Sequence, residues 1–245
     1  NTALGNNALT ANTTASDNTA LGNNALGAST TGSQNVAIGG YALDAMTTAS
    51  DNTAVGYEAL TSNTSGSQNT GVGHRSLIVN TTGLGLCAFG VGALDANTTG
   101  NYNAAFGRSA LSANTTTDEN TAFGAFALFS NTAAQNVGIG GSALYSNTTG
   151  TNNTAVGFRA LMTSTTSVRH VAVGYNALRY NTTGDNNSAL GYSALAANTT
   201  GQNNTAVGAE ALLSSTTASQ CVAVGAEALE ANTTGTGNNA VGYQA

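Results

Sequence analysis

Apolar residues come in adjacent pairs along this chain, a small one followed by a branched or aromatic one, and the pairs return at a fixed distance. The stretch "NTAVGYEALTSNTSGSQ", residues 52 to 68, stands for the whole: apolar at its third, fourth, eighth and ninth positions, polar or glycine almost everywhere else. Thirteen repeats of 17 residues and one of 16, Asn120 to Gln135, tile the chain, and Asn238 to Ala245 begin a fifteenth. Self-similarity at a short fixed period is the signature of solenoids and arrays. Residues 1–245 are therefore expected to be a single repeat array without an internal domain boundary. Because it starts and stops inside its repeat, it reads as an excerpt of something longer.

Comparing the repeats column by column separates what the fold needs from what it tolerates. The fifth position is Gly in all fifteen copies, the ninth is Leu in all fourteen, and the thirteenth is always Thr. The invariant glycines, among them Gly56, Gly124 and Gly157, are expected at positive φ or where no Cβ fits. Leu60, Leu128 and Leu161 are expected to be buried. The sixth, seventh and tenth positions hold Asn, Tyr, Glu, Arg, His, Phe, Asp or Met indifferently, as solvent-facing positions do.

No apolar stripe of 3.6-residue period survives the glycines and the "NTTG" segments, and Val, Thr, Gly and Asn are poor helix formers. "TAV" and "AL" are the expected strands, with "GYE" and "NTSGSQ" as turns. The 16-residue repeat has lost its residue in "NTAAQ", inside a turn, where deletions are absorbed. The expected fold is all-β: a parallel β-solenoid or β-roll with one repeat per coil, each strand pairing with its copy about 4.8 Å away. Identical residues then stack into Asn and Thr ladders of the cross-β kind.

Adjacent side chains of a strand point to opposite faces, so Ala54 and Val55, or Ala59 and Leu60, are not expected to share one core. A strand apolar on both faces is covered on both. The small residue suits the interior of a thin coil, and the Val or Leu suits a neighbouring chain. Two large and two small apolar side chains are also few for ordering 17 residues, which points to a bundle of coils, most simply three.

Composition narrows the partners. Charged residues make up 7%, Lys, Pro and Trp are absent, and the net charge of −6 is thinly spread. Without a basic patch, nucleic acid is not an expected partner. No apolar run approaches about 18 residues, so neither membrane insertion nor a signal peptide is expected.

The "NTAVG" and "NVAIGGYAL" segments resemble the head repeats of trimeric autotransporter adhesins, whose shorter repeats carry an "S-x-A-x-G" core and form a left-handed parallel β-roll. The alternation "NTAVGYEAL…NTSG" is also similar to repeat regions of phage and phage-like tail fibre proteins. The resemblance covers the whole chain, although the 17-residue spacing is longer than the adhesin repeat and neither a coiled-coil stalk with its anchor nor a C-terminal chaperone is seen. It implies a homotrimeric fibre, extracellular, projecting from a cell surface or virion tail and supporting attachment to a glycan or receptor.

Candidate chemistry is sparse. His74 and His170 occupy the sixth position of one repeat and the first of another, so no metal cluster forms within a chain, and each is expected to be an exposed side chain rather than a ligand. Cys87 and Cys221 lie eight repeats apart and read as free thiols. No Ser with a positioned His, no paired carboxylates and no phosphate-binding glycine loop occur, so neither an enzyme nor a cofactor is expected. Phe158, Tyr175 and Tyr192, at consecutive sixth positions, are expected to form an exposed aromatic ladder able to hold a glycan. The Thr column from Thr13 to Thr233 raises an ice-binding solenoid as a further reading, although the adjacent threonines of "NTT" leave one per coil on a face. The Asn-Thr-Thr triplets match the glycosylation sequon, for which chance is sufficient in so Asn-rich a repeat.

Overall fold

Each repeat contributes one three-residue strand at its second to fourth positions, where β-branched Thr and Val flank a small Ala. The computed structural model describes all 245 residues in two compact units, Asn1–Asn120 and Thr121–Ala245. The N-terminal unit holds β1 (Thr2–Leu4) to β7 (Ala104–Phe106), and the C-terminal unit holds β8 (Thr121–Phe123), β9 (Val137–Ile139) and the rest to β15 (Asn239–Val241). Within each, strands pair in parallel and in sequence order, like on like: Thr2 with Thr19, Ala3 with Ala20, Leu4 with Leu21. Each unit is a parallel β-solenoid with about 17 residues per coil and no helix.

The ladder does not stop at the strands. In the turns the Leu60 N–H donates to the carbonyl of Ser76 and the Thr64 N–H to that of Thr81, 3.0 Å in both cases. Gly73 N–H donates to Val55 carbonyl at 2.8 Å in the opposite sense. Backbone groups that a loop would leave to water are paired with the next coil, so each coil is a template for its neighbour around much of its circumference.

The second strand expected at "AL" does not form. Ala59 and Leu60 lie in a turn, with Glu58 at φ 55° and Leu60 at φ 53°. The alternation rule holds only for extended chain, and two left-handed residues re-aim the backbone so that both side chains turn inward. A leucine in that region costs roughly 1 kcal/mol or more. Complete burial offsets it: Leu60 is fully buried, as are Leu128 and Leu161. For the first pair the expectation stands, since Ala54 is buried and Val55 points outward, half-exposed.

The interior has two chemically different sides. Ala and Leu from the third, eighth and ninth positions fill one; the Leu60 Cδ1 lies only 3.3 Å from where Gly71, third in the next coil, would place a Cβ. Buried asparagines from the first and twelfth positions fill the other. The Asn52 backbone N–H donates to Asn35 Oδ1 at 2.9 Å, and the Asn80 side-chain amide donates to Asn63 Oδ1 at 2.9 Å. Both columns also reach the carbonyl of the fifteenth position, as Asn69 and Asn80 do at Gly83. A coil with few apolar side chains therefore closes on a hydrogen-bonded polar seam.

The short coil shows where a residue can be lost. Asn131 Nδ2 donates to the Ala133 carbonyl two residues on, at 2.6 Å, where Asn147 reaches Gly150 three residues on. Ala133 is buried, as Gly150 is, so the missing residue is the exposed Thr of the fourteenth position.

The fifth-position glycine meets both expectations at once. Gly124 has φ 134°, and a Cβ on it would lie 2.7 Å from the Gly140 carbonyl carbon. The clash is with backbone, which cannot rotate away. Gly124→Val is expected to destabilise by more than about 3 kcal/mol in urea unfolding, whereas an unchanged midpoint would reduce the invariant glycine to drift.

Candidate functional site

Because the third position faces inward, the second and fourth face out, and they give each unit an outer sheet face of Thr, Val, Leu, Ile and Phe. Leu21 and Ile38 in the N-terminal unit, and Phe123 and Leu190 in the C-terminal unit, are exposed. Leu190 keeps 50% of its surface in water. Phe89 and Phe106 stack on this face with centroids 4.9 Å apart. The fourth position is apolar in every copy, so within each unit this is a continuous stripe rather than scattered exposure.

The expected aromatic ladder is present. Phe158, Tyr175 and Tyr192 are exposed and stack in succession, with centroids 5.8 and 5.4 Å apart and planes within 20° and 6° of parallel. Stacking turns ring faces toward one another, so Tyr175 offers its edge and hydroxyl to solvent. The Arg159 guanidinium lies 4.8 Å from the Phe158 ring centre.

The thirteenth-position threonines also form a ladder, with most of their hydroxyls engaged. Thr98 Oγ1 donates to the Thr115 carbonyl at 3.0 Å, and Thr199 Oγ1 to the Thr216 carbonyl at 3.0 Å.

The exposure expected of His170 is not found: it is buried in the polar seam, where its imidazole replaces an asparagine. Nδ1 accepts the Asn187 backbone N–H at 3.1 Å, as Asn Oδ1 does elsewhere, and Nε2 lies 3.0 Å from Ser167 Oγ and 3.2 Å from Asn181 Nδ2. Ser167 in turn bonds Ser164 Oγ at 2.6 Å and accepts from Asn181 Nδ2 at 3.0 Å. The sequence carries the signal: Ser164 stands where most coils have the larger Asn, which makes room for the ring, and Ser167 stands where most have Gly or Ala and supplies the ring a hydroxyl partner.

Burial lowers the His170 pKa below its ordinary value, while the carbonyl of Asn187 and the carboxylate of Asp185 oppose the shift. A group that binds its proton more weakly folded than unfolded stabilises above the unfolded pKa, near 6.5, and loses that contribution as pH falls from there through the lower folded value. Protonated Nδ1 would also face the Asn187 N–H donor to donor. Thermal melts from pH 7.5 to 5 should show a falling midpoint that His170→Asn, the ladder's own residue, removes. Parallel pH profiles for the two proteins would contradict this arrangement.

His74 is exposed and stacks on Tyr57, centroids 5.7 Å apart. Both cysteines are free: Cys87 is half-buried on the outer sheet face, with burial pushing its thiol pKa up, and Cys221 is buried in the seam with Sγ 3.2 Å from the Gly235 carbonyl. No helix is long and apolar enough to cross a membrane. No family model matches the chain, and no curated protein or solved structure matches it.

Proposed function

We propose that this chain is the shaft of a homotrimeric extracellular fibre that projects from a virion or a cell surface and supports attachment, its coils acting as interchangeable structural spacers rather than as an enzyme. The observation that carries this reading is the outer sheet face: every coil places an apolar fourth-position side chain outward, and many stay exposed. Water-facing Leu, Ile and Phe in a continuous stripe mark an interaction surface, and identical chains offer one another a matching stripe. Sedimentation of the native protein should give three times the chain mass, and Leu190→Asp, which places a charge on that face without touching the interior, should give folded single chains. A single-chain mass for the unaltered protein would overturn the assembly.

Ice adsorption and glycan binding are the competing proposals. Most thirteenth-position hydroxyls already donate to the neighbouring coil, which leaves ice few free donors in that column. The aromatic ladder presents ring edges, where sugars prefer faces. Thermal hysteresis would favour the first alternative. Loss of glycan-array binding in Tyr175→Ala would favour the second.

A further inference from the structure

A notch interrupts the surface of the N-terminal unit at its sixth coil. Gly92 is the one glycine at the seventh position, where the coils on either side carry Arg75 and Ser109. Conformation does not demand it: Gly92 at φ 63°, Arg75 at 58° and Ser109 at 51° share the same left-handed turn. A Cβ there would meet nothing nearer than Asp95 Oδ2 at 3.5 Å. The missing side chain leaves an open cleft of about 440 Å³.

What lines the cleft is unlike the rest of this unit. Arg75 and Arg108 are the only Arg or Lys residues among residues 1–120, beside seven Asp and Glu, and both border it together with His74. Glu58 holds Arg75 at its rim, Oε2 to Nε 3.5 Å. The floor includes Val79 and Val91, exposed by 39% and 53%, the two large aliphatic side chains exposed off the sheet face, with Ile78 beside them. Cations and apolar surface thus converge at the one coil whose seventh side chain is absent.

We propose that this notch binds a small organic anion, a carboxylate carried on a compact apolar body. Arg75 and Arg108 come from coils two strand spacings apart, about 9.6 Å, and their long side chains can close on a carboxylate from both sides. Val79, Val91 and Ile78 cover the body. Asp95, whose Oδ1 accepts the Ser112 hydroxyl at 2.7 Å, lies on the same wall and disfavours a dianion. The site lies within one unit of one chain and does not depend on the trimer.

The test is titration of the full chain, followed by amide NMR shifts, with benzoate, benzamide and inorganic phosphate. Benzoate should saturate, benzamide should not bind, and phosphate should bind more weakly. Arg108→Gln should weaken benzoate at least about tenfold. Gly92→Phe should abolish binding while leaving the fold intact, because Phe126 occupies the same repeat position at φ 59°. A leucine-ended tripeptide with a free or amidated C-terminus separates chain-borne carboxylates from free acids; preference for the free C-terminus, or for benzoate over both peptides, supports the site equally. Benzoate binding that survives Gly92→Phe, equal response to phosphate and benzoate, or no saturable binding would overturn it.

Discussion

Replacing Leu128 by Asp should abolish cooperative folding of the coils around it, a loss of at least about 5 kcal/mol. Leu128 is fully buried, and its Cγ lies 3.1 Å from where a Cβ on Gly138 of β9 would stand, so the side chain already fills the space between its own coil and the next. Aspartate would remove that packing and leave a carboxylate among Ala and Leu, beyond reach of the asparagine seam on the other side of the coil. The group would be buried unpaired or protonated, and both are costly. Since each coil is a template for its neighbours, the damage should spread to adjacent coils, which protected amides in hydrogen exchange would report. Leu128→Met, equal in volume and free of charge, should cost less than about 1.5 kcal/mol. An Asp variant that melts like its parent would overturn the coil assignment.

Much of this fold was legible because the chain repeats itself. Columns of Gly, Leu and Ala identified inward positions and the place where backbones approach, and the deletion identified a turn. What the sequence concealed came from residues that do the unexpected in a fixed way. Leu60 takes a left-handed conformation that propensity assigns to Gly or Asn, so "AL" looked like strand when it is turn. Asn52 and Asn63 are buried, whereas asparagine ordinarily signals surface; ladder pairing satisfies their amides and makes an interior of them. His170 is buried for the same reason, since the first-position column it belongs to is core rather than surface. The notch at Gly92 could not be read from the column alone, because a glycine in a variable position looks like tolerance until the side chains around it are placed.

Deleting the whole repeat Asn187 to Asn203 should leave the C-terminal unit folded and one strand spacing, about 4.8 Å, shorter. Asn187 and Asn204 are equivalent: each is buried, each backbone N–H is received by the first-position residue of the preceding coil, and each side-chain amide reaches a fifteenth-position carbonyl, Gly201 at 2.7 Å and Ala218 at 2.8 Å. After the deletion His170 Nδ1 would accept from Asn204 in place of Asn187, and the strand Val171–Val173 would pair with Thr205–Val207, Ala on Ala in the middle. The local losses are Tyr192 from the aromatic ladder and the bond from Asn198 Nδ2 to Asn181 Oδ1 at 2.7 Å, since Ser215 takes the twelfth position. Removing eight residues instead, Asn187 to Ala194, would set the seam asparagines against leucine and the strand against a turn. Every buried amide in that coil would lose its partner, at about 1 to 3 kcal/mol each, so the C-terminal unit should fail to fold. Circular dichroism melts separate the two outcomes, and small-angle scattering reads the shortening. Unfolding by the 17-residue deletion would show that coils are not interchangeable, and the spacer reading would fall with it.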